Sequence, residues 1–161
     1  MSGTEQLRVD QAIEEVHESL MTASDRAGSH MAWAMLREAQ GRIPEAIEAY
    51  ETAIKVEPET TGPRSNLAAL LESVATQSRP PNAEELMQRV GELRAAELPL
   101  LARDAKLAPE NASVQYRYGL ALYLSGELEE AMDQIERAVE LAPDVPEFRQ
   151  ARDLLQEKIN E

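Results

Sequence analysis

Cysteine is absent from the chain, which excludes disulfides, thiolate catalysis and cysteine-ligated metals. Aromatic residues are scarce, with one Phe, one Trp and four Tyr, so alanine and leucine must supply most of any core. Basic residues are few: 16 Lys and Arg stand against 30 Asp and Glu, a net charge of −14 that repels phosphate backbones and anionic lipid surfaces. Nucleic acid is therefore not an expected ligand. No apolar run is long enough to span a bilayer, and the first 25 residues are acidic, unlike a secretory signal. Together these point to a soluble cytoplasmic protein that does not engage membranes.

Catalytic signatures are missing too. The sequence has no glycine-rich phosphate loop, nucleophile elbow or zinc-binding His pair, and its seven glycines fall mostly at turns. His17 and His30 belong to different helical stretches, and each reads as a solvated or capping residue. Acid pairs such as Glu14-Glu15, Glu84-Glu85 and Glu129-Glu130 point apart on a helix and read as solvated faces. No catalytic residue, cofactor site or metal site is expected, and the chain reads as non-enzymatic.

What the chain does contain is internal repetition. Gly41-Arg42-Ile43-Pro44-Glu45-Ala46-Ile47, continuing to Ala53 and Pro58, closely parallels Gly126-Glu127-Leu128-Glu129-Glu130-Ala131-Met132, continuing to Ala138 and Pro143. In both, alanines follow the glycine by five and twelve residues and proline follows by seventeen. A glycine that ends an apolar-periodic run can take the left-handed conformation without a Cβ clash and so stops a helix. Pro44 opens the next helix, where its missing N–H has no helical partner to lose. The prolines then end that helix, because the residue before proline is pushed out of the helical region. Ala46 and Ala131 are small where two antiparallel helices approach, with Tyr50 and Ile135 on the same face four residues later. Each copy is a helical hairpin.

The pattern resembles the tetratricopeptide repeat, a helix-turn-helix unit of 34 residues. The resemblance implies an all-α fold, a right-handed α-solenoid of about three hairpins with a concave groove. Residues 27–60 fit one repeat and 112–145 another, with Gly119 and Ala131 at the family's small positions. Residues 61–111 form a middle repeat that is 17 residues too long, since Pro109 lies 51 residues after Pro58 and 34 before Pro143. Its first helix carries Asn66-Leu67-Ala68-Ala69-Leu70-Leu71 at core positions, and the surplus falls near 77–99. Gln77-Ser78-Arg79-Pro80-Pro81 forces a turn there. Asn82 with Glu85 is suited to cap a new helix bearing Leu86, Val90 and Leu93, which Pro99 kinks or breaks. If helical throughout, the surplus adds roughly 25 Å to one arm. Residues 1–26, with Val9, Ile13, Val16 and Leu20 at helical spacing, and 146–161, with Phe148, Ala151, Leu154, Leu155 and Ile159, read as amphipathic terminal helices capping the array.

The resemblance also implies where a ligand would sit. The groove-lining positions of the first helices fall on Met31, Met35 and Glu38 in the first repeat. They fall on Ser65, Ala69 and Glu72 in the second, and on Tyr116, Leu120, Tyr123 and Leu124 in the third. The cochaperone branch of the family grips a terminal carboxylate with two lysines, two asparagines and an arginine. Asn66 and Arg117 match two of those five positions, while Met31, Met35 and Ser113 replace the others. A carboxylate would thus lack most of its charge-assisted hydrogen bonds. A groove of thioethers and phenols suits an apolar or amphipathic peptide instead. The expected function is a protein-interaction adaptor that binds such a segment of another protein as a monomer or weak homo-oligomer. Two alternatives stand beside it: a chaperone like the tetratricopeptide chaperones of type III secretion, and a self-associating assembly scaffold. The N-terminal helix is a further candidate to occupy the groove from within.

Overall fold

The computed structural model describes residues 3–22 and 26–161, with the side chains of 20–22, and hence Leu20 of the N-terminal stripe, outside the description. The described residues form eight α-helices and no strand: α1 (Gly3–Thr22), α2 (Arg26–Ala39), α3 (Ile43–Val56), α4 (Pro63–Ser73), α5 (Ala83–Leu107), α6 (Ala112–Leu124), α7 (Leu128–Leu141) and α8 (Pro146–Ile159). The fold is an all-α helical repeat. A π-helical turn, Val74–Ser78, extends α4, and Arg79 ends it in the left-handed conformation at φ 44°.

The repeated sequence produces repeated backbone geometry. Gly41 and Gly126 sit at φ 71° and 86°. In the first copy the Arg42 N–H reaches the Arg37 carbonyl and the Gly41 N–H the Glu38 carbonyl. In the second, Glu127 and Gly126 make the same bonds to Leu122 and Tyr123. This is the paired closure that satisfies the last carbonyls of a helix. At the other end of each hairpin, Glu57 and Ala142, both before proline, leave the helical region at φ −140° and −141° and still donate to Ala53 and Ala138.

The chain divides into two compact units, 1–90 and 91–161, with the division inside α5. In the first, α2 packs on α3, α3 on α4 and α1 on α2. Its core is built on alanine: Ala27, Ala34, Ala46 and Ala53 are fully buried around Tyr50, Leu67 and Leu71. Small residues let helix axes approach closely, so each contributes little area but permits many contacts. Arg89 at the start of α5 pairs with Glu51 of α3.

In the second unit α6 packs on α7 and α7 on α8. Leu122, Ala131, Met132, Ile135 and Leu155 form its centre, with Leu98, Tyr118 and Leu128 against them. The closest approach is at Gly119, where an added Cβ would lie 2.7 Å from Ile135 Cγ1 and 3.2 Å from the Ala131 carbonyl. Buried Gln115 of α6 donates to the Ala105 and Ala108 carbonyls at 3.0 and 3.3 Å, satisfying the end of α5. Asn111 caps α6 by accepting from the Val114 N–H.

Of the two outcomes expected at Pro99, a kink or a break, the break does not occur: α5 runs for 25 residues with Pro99 inside it. The helix continues because its buried side chains on both sides of the proline, Glu97 before and Leu101 and Ala105 after, hold it in place. Such packing outweighs the single hydrogen bond a proline removes.

Candidate functional site

Some of the groove residues read from the sequence are brought together in two separate clusters, one in each unit. In the first, Met35, Glu38, Asn66 and Ala69 line a cleft of about 480 Å³ with Ala39 and Tyr50. Met35 is 54% exposed although apolar, whereas Tyr50 at the floor is 1% exposed. The Tyr50 hydroxyl donates to Glu38 Oε2 at 3.1 Å. Burial first, then the Glu38 charge, raise the Tyr50 pKa well above its ordinary value, while a hydrogen bond from Asn66 pulls weakly the other way. Asn66 thus serves the phenol from the first turn of α4.

Met31 and Ser65 are not part of this cleft. The Met31 thioether fills the space over Gly62, where a Cβ would come within 3.3 Å of it, and Gly62 holds φ 113°. Nor does the N-terminal helix enter the cleft through its described contacts. It lies on α2, with the His17 ring 6.4 Å from Trp33 and the Ser19 hydroxyl 3.1 Å from that of Ser29.

In the second unit Tyr116, Leu120 and Tyr123 of α6 line a cleft of about 280 Å³ whose other wall is α8, through Glu147, Gln150, Ala151 and Leu154, over Ile135 and Leu155. Tyr116 stacks on Phe148 with centroids 4.6 Å apart, and its hydroxyl faces Glu147 Oε1 at 3.5 Å. Burial and then the Glu147 charge raise the Tyr116 pKa. At the opposite end Tyr123 is 40% exposed and Leu154 67% exposed. Arg117 and Leu124 are exposed but do not line the cleft.

A third hollow, about 280 Å³, lies between α2 and α3, lined by His30, Trp33, Glu45, Glu48, Ala49 and Thr52. The Arg37 guanidinium carbon sits 3.9 Å over the Trp33 ring, and its Nε lies 3.1 Å from Glu45. Burial, with Arg26 nearby, holds His30 below its usual pKa.

The wall supplied by α8 is the part that sequence reasoning missed, having read this helix as a cap alone. One signal for it existed. Phe148, Ala151 and Leu155 share a face at helical spacing, and Leu154 lies off that face. Among the described residues no group of three or more His, Cys, Asp or Glu is arranged to hold a metal. No described helix is long and apolar enough to cross a membrane.

The geometry defines a helical-hairpin repeat protein with open apolar clefts, and the sequence profile of the tetratricopeptide repeat matches residues 31–96 and 76–146, most of the chain. The chain belongs to the tetratricopeptide repeat family. Among solved structures it is similar to MamA (41-end) from Desulfovibrio magneticus RS-1, at 17% identity and a TM-score of 0.59, covering 98% of this chain and 81% of that one. TTC0263, a thermophilic tetratricopeptide protein of Thermus thermophilus, gives 20% identity and a TM-score of 0.59, covering 97% and 77%. The first tetratricopeptide domain of Spaghetti (RPAP3), solved bound to the HSP90 peptide SRMEEVD, gives 18% and 0.55, covering 87% and 98%. At these identities the likeness establishes the fold. No curated protein sequence matches the chain significantly.

Proposed function

We propose that the protein is a non-enzymatic interaction adaptor whose α6–α8 cleft receives an apolar or amphipathic segment of a partner protein. One observation carries the reading: Tyr123 and Leu154 remain 40% and 67% exposed beside a preformed hollow floored by Leu120, Ile135 and Leu155. Side chains of this size left in water beside a concave apolar floor mark an interaction surface. Inserting two or three apolar side chains would contribute about 1.5–3 kcal/mol each before ordering costs, enough for micromolar binding. A tetratricopeptide relative solved with a bound peptide supports peptide binding as a use of this fold. The Met35 cleft of the first unit, floored by Tyr50, is a second apolar surface of the same kind.

A photocrosslinker at position 123 will identify the partner segment, and direct titration of that segment then tests the site. The double variant Tyr123→Ala/Leu154→Ala should weaken binding at least ten-fold while leaving thermal stability nearly unchanged, because both side chains are exposed. Unchanged affinity in the double variant would remove the α6–α8 cleft from the reading.

A further inference from the structure

Resting on that reading, we infer that the partner segment is cationic as well as apolar: an amphipathic helix that sets a large apolar side chain between Tyr123 and Leu154 and a lysine or arginine beside it at Glu147. The lining of the clefts carries the inference. Glu38 lines the first cleft and Glu147 the α6–α8 cleft, and neither has a lysine or arginine among its lining residues, whereas Glu45 of the third hollow is already paired with Arg37 and Arg42.

The cations of α8 are already engaged within their own chain. Arg149 is held by the Pro143 carbonyl, Arg152 by Asp153 at 2.7 Å, and Lys158, near Tyr123, by Glu161. Among the described residues Glu147, by contrast, receives a single long hydrogen bond, of 3.5 Å, from Tyr116. Its carboxylate keeps acceptor capacity at the rim of an apolar hollow. A partner cation placed there gains a charge-assisted hydrogen bond. The net charge of −14 steers basic segments toward the protein, and it opposes both a second copy of this chain and an acidic peptide.

The test uses the full chain and two synthetic amphipathic helices that share one leucine face and differ only in carrying lysines or glutamates opposite it. Labelled peptides are titrated by fluorescence anisotropy at low and moderate salt. The lysine peptide should bind at least ten-fold more tightly than the glutamate peptide, with the preference shrinking as salt rises. Glu147→Gln should reduce the lysine peptide's affinity roughly two- to five-fold, the range of an exposed charge pair. The control Glu129→Gln, an exposed acid on α7 outside the cleft, should change it less. Equal binding of both peptides would overturn the charge assignment while leaving the apolar cleft standing. Binding of neither would overturn the cleft reading as well. A lysine preference equally sensitive to Glu129→Gln and Glu147→Gln would also overturn the assignment, because it would reflect diffuse charge rather than this site.

Discussion

At the scale of single residues, Tyr50 joins stability to the first cleft. Its phenol is buried and donates to Glu38, so the protonated form is strongly favoured in the folded state. An unfolded tyrosine titrates near 10. With the folded pKa raised above that, the contribution of Tyr50 is fully present below about pH 10 and is lost as pH climbs toward the folded value. Urea unfolding should therefore show stability falling above pH 10 in the native chain. Tyr50→Phe should cost about 1 kcal/mol at pH 7 and flatten that decline. A decline of unchanged size in the variant would contradict the role given to Tyr50. Gly119 offers a second test. An alanine there must displace Ile135 or the α7 backbone, so Gly119→Ala should destabilise by about 1–3 kcal/mol. Gly41→Ala has open space around it and only the positive φ to contend with, so its cost should be nearer 1 kcal/mol. Equal costs would mean that steric crowding between α6 and α7 is not what Gly119 relieves.

At the scale of elements, what the sequence made legible was whatever is decided locally. Helix ends at Gly41 and Gly126 and at the residues before Pro58 and Pro143 follow from backbone sterics, which operate within a few residues. The fate of α5 was not legible, because Pro99 sits in a helix anchored by the burial of Glu97, Leu101 and Ala105, a tertiary fact. Removing that local penalty should show in stability. Pro99→Ala restores an N–H to a helix already formed, so it should stabilise by roughly 1–3 kcal/mol, measured as a higher denaturant midpoint. A loss of stability would mean that the proline ring is needed for packing. The cleft was legible in part. Tyr116, Leu120 and Tyr123, which the family resemblance assigned to the groove, line one cleft, but the resemblance could not foresee that Met31 turns onto Gly62 or that α8 closes the far side.

At the scale of the whole molecule, the chain places most of its few aromatic residues at the clefts and builds the core mainly from alanine and larger aliphatic side chains. Tyr50, Tyr116 and Tyr123 all line or floor clefts, and Trp33 lines the third. The helices supply the spacing, and the aromatic and Met side chains give the clefts most of their character. An acidic exterior carrying apolar hollows rimmed by carboxylates is a surface matched to basic amphipathic segments, with association that weakens as salt is added. The most direct measurement of the central claim is a heteronuclear NMR titration of the isotopically labelled chain with the lysine-bearing amphipathic peptide. The account predicts saturable amide shifts concentrated at Tyr116, Leu120, Tyr123, Glu147, Ala151 and Leu154, absent in the Tyr123→Ala/Leu154→Ala variant. Shifts spread over the acidic surface without a focus in the α6–α8 cleft, or no shifts at all, would contradict it.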